Sequence, residues 1–224
     1  MAYRTDLSLS FLAQCDREDL QVLAKILECD VDWKEIAKEI QLNGANSIMT
    51  AIRGGEGIPY REVIRDVCDK IGIQYPRRIS VRGLEFRLSA KLLEKSLAKM
   101  SESERSKLLE ELGVKSANIT GPAAVAAIQA AVVAGGFLSY QVAAIVANAV
   151  AKAVVGSGLS FGANAVVTRT IGLFAGPIGW TATGLWTALE ISGPAYRKTI
   201  PACVQVGYLR MKLGRDVEAR RGNS

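Results

Sequence analysis

The chain contains no histidine. That absence removes Ser-His-Asp and Cys-His nucleophile activation, imidazole acid–base chemistry and histidine-containing metal sites. Charge is missing over a long stretch as well. Between Ser116 and Tyr196 only Lys152, Arg169 and Glu190 are charged. Ionised groups resist leaving water, so a depletion of that length marks a surface meant for a dense protein interior or for lipid. Aromatics make up 6% of a sequence that is 49% hydrophobic, so the apolar mass is Ala, Val, Leu and Ile. The four cysteines, Cys15, Cys29, Cys68 and Cys203, form no C-x-x-C pair. They fit reduced thiols used as small core residues. No basic segment followed by an apolar run opens the chain, so no secretory signal is expected.

What is present is unevenly placed. The 224 residues carry a formal charge of +6, and all of the excess lies beyond Lys115. The first 115 residues balance 19 basic against 19 acidic groups. Arg197, Lys198, Arg210, Lys212, Arg215, Arg220 and Arg221 supply most of the positive end. An apolar block followed by a basic terminus is arranged as in membrane proteins rather than as a nucleic-acid footprint, and no specific nucleic acid is expected.

The periodicity is helical throughout, with no strand pattern. Leu20, Leu23, Ile26 and Leu27 form one face. Asp32 is placed to cap the next helix, with Glu35 in capping-box register and Trp33, Ile36, Ala37 and Ile40 as its stripe; Asn43 and Gly44 end it. Pro59 opens a helix from Tyr60 to about Ile71 that buries Val63, Ile64, Val67 and Ile71. A further amphipathic helix is expected from Leu84 to Met100, and another restarts at Ser101. Beyond Pro122 the candidates are Ala123–Ala134, Ser139–Val155, Leu159–Phe174 and Trp180–Ile191, then a basic helix over about Ala195–Arg215. Gly54, Gly57, Gly135, Gly136, Gly176 and Pro177 are the expected hinges. The fold class is all-α: an amphipathic helical domain over 1–115, an Ala/Gly-rich apolar helical bundle over 116–196, and a basic helix and tail over 197–224.

Candidate chemistry is sparse. Glu62, Asp66 and Asp69 share faces of one helix, but the same spacing suits an ordinary surface ion-pair network with Arg61, Arg65 and Lys70. The glycines at 54–57 and 156–162 follow helical patterns and lack the Lys-Ser/Thr ending of a phosphate loop, so both read as turns. No catalytic residue, cofactor or metal ligand is assigned, and the chain reads as a non-enzyme.

The apolar block therefore decides the functional reading. Ala123–Ala151 and Thr170–Leu189 are uncharged, and roughly 20 apolar residues suffice to cross a bilayer. Gly158/Gly162 and Gly172/Gly176 stand four apart and permit close helix approach. A hydrophobic hairpin turning at Gly135–Gly136 has short arms, and Gln129, Gln141, Asn148 and Asn164 are costly in lipid. Trp180, Trp186, Tyr196, Arg197, Arg210, Lys212 and Arg215 are the expected membrane or partner contacts. Aromatic and basic residues at the border of an apolar helix suit an interface, although both tryptophans also suit a core. The leading expectation is a cytoplasmic protein that associates with or inserts into an anionic inner-membrane surface. A pore-forming role, with a homo-oligomer in the membrane, is its extension. The alternative is a soluble helical scaffold or assembly chaperone, with a protein partner and the apolar block as a permanently buried core.

Three blocks carry a resemblance to a known family. They are Asp6–Cys15 with Glu18–Leu20; Asn46–Gly54 with Gly57–Tyr60 and Asp66–Ile71; and Ala175–Gly179 with Ser192–Arg197 and Thr199–Arg210. Together these blocks resemble the uncharacterised bacterial YaaW-type family, which joins a short N-terminal domain to a ubiquinol–cytochrome c chaperone-like region. The resemblance implies assembly assistance near a membrane and carries no catalytic residues with it.

Overall fold

The computed structural model describes residues 5–44, 57–97, 101–103, 137–155 and 196–222, with the single helical positions 123, 126 and 130. Among these residues the protein is entirely helical, without strands. A 3-10 turn, Ser10–Gln14, precedes α1 (Arg17–Leu27), α2 (Trp33–Gly44), α3 (Tyr60–Ile71), α4 (Val81–Leu97), α5 (Phe137–Val155) and α6 (Tyr196–Gly222).

Local chemistry sets most helix ends. The Asp32 carboxylate accepts the backbone N–H groups of Lys34 and Glu35 at 2.9 and 3.1 Å, capping α2 as expected. The reciprocal half of a capping box is not formed. The Asp32 N–H donates to the Asp30 carbonyl, and Glu35 instead pairs with Lys38 at 2.9 Å. Pro59 precedes the first residue of α3, and Gly72 ends that helix at φ 79°, a left-handed conformation that costs glycine little. Ser80 starts α4 by accepting the Gly83 N–H at 3.0 Å. The helix therefore begins three residues ahead of the expected Leu84 and is described as far as Leu97. The final helix runs to Gly222, well past Arg215.

The expected apolar faces are the buried ones: Leu20, Leu23, Ile26 and Leu27 on α1; Ile36, Ala37 and Ile40 on α2; Val63, Ile64, Val67 and Ile71 on α3; Leu88, Leu92 and Leu93 on α4. Two helices differ from this one-sided pattern. On α5, Tyr140 to Ala151 are buried without interruption, and on α6 so are Thr199 to Leu209. A helix apolar on every side belongs inside the protein rather than at its surface. Helix α6 packs against all five other helices and the 3-10 turn. One continuous cluster of buried side chains runs from Leu9 to Leu209. Within α6, Pro201 lacks an N–H, which leaves the Arg197 carbonyl without its intrahelical donor at the exposed start of the helix.

The hinge glycines and proline Gly54, Gly135, Gly136, Gly176 and Pro177, with Trp180 and Trp186, lie outside the described residues. Gly57 is buried, and a Cβ there would stand 2.6 Å from Gln41 Cβ, so close approach to α2 requires glycine.

Candidate functional site

The polar groups that converge in the interior are those of α6 and the helices around it. Arg210, four residues before the exposed Gly214, turns inward from α6. Its Nε and Nη2 donate to both carboxylate oxygens of Glu85 on α4, at 2.9 to 3.2 Å. Nη2 also donates to the Ser8 carbonyl at 2.6 Å, and the guanidinium lies 4.2 Å from the Phe11 ring centroid. Glu85 is 3% exposed, so the carboxylate half of this contact between α4 and α6 is internal. Burial pushes its carboxyl above the ordinary value, and Arg210 is the main influence pulling it back.

Two buried groups flank the pair. The Tyr60 hydroxyl, at the first residue of α3, finds no hydrogen-bond partner among the described residues. Burial first, and the Glu85 charge second, push both Tyr60 and Cys203 well above their ordinary ranges. A thiol and a phenol buried in this way are placed as core groups of the fold. Burial likewise raises the Cys15 and Cys29 thiols to about 11 and Cys68 to about 12.

Three further cations of α6 are also engaged. Lys212 meets Asp19 of α1 at 2.7 Å, and Lys198 meets Glu28 at 2.8 Å. Arg215 lies 4.7 Å from the Tyr140 ring centroid, and Tyr140 stacks on Tyr208 at 6.0 Å. Gln205 of α6 donates to the Ala147 carbonyl of α5 at 2.6 Å, inside the core. Tyr196 is partly buried beneath Lys70, whose Nζ is 5.5 Å from the ring centroid, and Arg197 is exposed. Of the five described candidate contacts, three (Arg210, Lys212 and Arg215) thus reach back into the protein. Arg197 faces water.

The carboxylates weighed for catalysis do not converge. Glu62 and Asp66 are exposed on α3, and Asp69 accepts the Tyr75 hydroxyl at 2.8 Å. Among the described residues, no group of three or more acidic or cysteine side chains comes together as a metal site. Nor is any described helix long and apolar enough to cross a membrane.

A family model described as ubiquinol-cytochrome C chaperone matches residues 29–203. A UPF0174 protein of Helicobacter pylori strain J99 is 40% identical over 247 aligned positions, covering 99% of this chain and 97% of that protein. The chain belongs to the YaaW-type UPF0174 family. A second UPF0174 protein of the same strain is 38% identical over 185 positions, covering 80% of this chain and 88% of its own length. The UPF0174 protein YaaW of Escherichia coli K12 is 26% identical over 239 positions, with 93% and 95% covered. No solved structure matches.

The described parts of the blocks that carry the family resemblance meet in space. Asp6, from the first, accepts the Tyr60 N–H of the second at 2.6 Å and so caps α3 from 54 residues away. Arg210, from the third, holds the Ser8 carbonyl of the first. Glu85, which belongs to none of them, joins Arg210. Its signal was legible: it falls in register with Leu88 and Leu92 on the buried side of α4, a charge where an apolar residue is expected.

Proposed function

We propose that this protein is a non-enzymatic helical scaffold or assembly chaperone that acts through a protein partner in the cytoplasm. The observation that carries the reading is the position of α6. The basic terminal helix, which suits a membrane anchor by composition, runs through the middle of the fold. Arg210, Lys212 and Lys198 bind carboxylates of α4, α1 and the α1 C-terminus. Extracting that helix into a headgroup layer would strand Glu85 in an apolar core, a cost of several kcal/mol. The match to a ubiquinol-cytochrome C chaperone model over most of the chain supports the same reading. On this account the cations of α6 hold the fold, and Arg197 is left for a partner.

The test is fractionation of untagged protein at native level, with separate high-salt and carbonate washes of the membrane pellet. Recovery in the soluble fraction, with a protein partner that co-purifies at fixed stoichiometry, is the expected result. Resistance to both washes would overturn the proposal in favour of insertion. Release by salt alone would make the protein a peripheral membrane protein.

A further inference from the structure

The loop between α3 and α4 is held from beneath and armed on top. Three arginines spend guanidinium donors on its backbone carbonyls: Arg61 on Ile79 at 2.6 Å, Arg65 on Arg77 at 3.1 Å, and Arg87 on Gln74 at 3.2 Å. Ile79 and Tyr75 pack against the core, and the Tyr75 hydroxyl is tied to Asp69. Loops of this length are ordinarily pinned by turns and caps. Here charged side chains fix the backbone, which pre-organises whatever the loop displays. It displays Arg77 and Arg78, with Arg82 the second residue of α4, all exposed. Among the described residues none of the three forms a salt bridge, and Arg82 acts on buried Glu85 only through its charge. The acids of the same stretch are taken: Glu85 is buried on Arg210, and Asp69 holds Tyr75.

We propose that this arginine-bearing loop docks an acidic segment of a partner protein. Guanidinium groups on a fixed backbone match carboxylates in a planar, two-point geometry. Three exposed cations suit a short peptide segment. Retention on a lipid surface takes a denser cluster, roughly 4–8 Lys or Arg, and the one large hydrophobic exposed among the described residues is Leu7, in the N-terminal turn. Single-stranded nucleic acid needs aromatic faces for stacking. The loop's one aromatic, Tyr75, has its ring against the core and its hydroxyl committed. The proposal deepens the assembly-factor reading and takes its biological sense from it, while the binding itself is measured independently.

The experiment is fluorescence anisotropy of a labelled peptide alternating glutamate and alanine, titrated with the full chain. The counterpart with glutamine for glutamate, a thymidine oligonucleotide and phosphatidylglycerol vesicles run alongside. The glutamate peptide is expected to bind, and R77E/R78E/R82E to weaken it by about tenfold or more. The exposed control R17E/K25E/K34E, with the same net charge change, is expected to stay within about twofold. R77Q/R78Q/R82Q serves if the reversed variant melts early by circular dichroism. Equal losses in loop and control variants, no preference for glutamate over glutamine, or loop-dependent binding of the oligonucleotide or vesicles in its place would each overturn the proposal. Carbonate-resistant membrane recovery removes the assembly reading and leaves this measurement standing. Failure of the peptide to bind, with the protein in the soluble fraction, removes the docking loop alone.

Discussion

Glu85 and Arg210 lie 125 residues apart in sequence and meet in the interior through a two-point contact whose shortest distance is 2.9 Å. The partners are unequally buried, with side chains 3% and 22% exposed. Removing the arginine leaves a carboxylate with no route to water. Removing the carboxylate leaves a guanidinium that keeps the Ser8 carbonyl and has some solvent access. Arg210→Met is therefore expected to cost about 3–5 kcal/mol, and Glu85→Gln clearly less. The double variant R210M/E85Q should be more stable than the sum of the singles, because it strands no charge. Urea melts of the four proteins measure the coupling, and simple additivity would refute a coupled pair.

The pH dependence of this contact has a definite sign. Burial, the largest influence, holds the Glu85 carboxyl above its ordinary value of 4.5, with Arg210 opposing. A carboxyl raised in the folded state adds stability that is fully present below its unfolded value. That increment is lost as the pH rises through the folded value. Asp19 is raised in the same sense, again by burial against the pull of Lys212. Acidification across this window raises overall stability by relieving the buried charge of both carboxyls, although it gives up their ion pairs to Arg210 and Lys212. The stability of wild type relative to Glu85→Gln should accordingly fall as pH climbs from about 4.5 towards neutrality. Thermal melts at stepped pH give that difference directly. A difference that grows with pH would mean that Arg210 outweighs burial.

Asp6 links the two ends of the first family blocks. Its carboxylate accepts the Ser8 N–H at 2.8 Å through one oxygen and the Tyr60 N–H at 2.6 Å through the other. The residue next to α3, Pro59, has no side-chain donor or acceptor, so a distant acid provides the cap. Asp6→Ala should cost about 1–2 kcal/mol, and Asp6→Asn should recover part of it. Amide exchange at Tyr60 reads the same loss locally: its protection should drop in Asp6→Ala while protection at mid-helix positions such as Val67 is lost only globally.

The helices of this protein are legible in its sequence wherever the local pattern is sufficient. Pro59 and Gly72 bracket α3 residue for residue, and Asp32 caps α2 where the pattern places it. The start of α4 was read late because Ser80 was not recognised as a cap. Helix α6 continues past Arg215 because the charged residues Asp216 to Arg221 are compatible with helix once the core has nucleated it. The partners of α6 were not legible at all. Lys198 with Glu28 and Lys212 with Asp19 are 170 and 193 residues apart, and no periodicity encodes such pairings. Arg210 was grouped with the tail cations because composition records that a charge exists, while packing decides which way it turns.

Two glycines of α6 separate packing from propensity. A Cβ on Gly207 would sit 3.0 Å from Glu85 Cβ, close to the backbone of α4, whereas Gly214 has nothing within 4 Å. The helix interior favours alanine over glycine at both sites by about 0.5–1 kcal/mol, because glycine loses more backbone freedom on folding. At Gly214 that gain is unopposed, so Gly214→Ala should raise the melting midpoint. At Gly207 the added methyl pushes α4 from α6 at the level of the buried ion pair, and overpacking of this kind costs about 1–3 kcal/mol. Gly207→Ala should therefore lower the midpoint and, combined with Glu85→Gln, give a non-additive loss, since both act on the same contact. Equal shifts at 207 and 214 would mean that α6 does not approach α4 this closely, and the central position of the helix would fall with it.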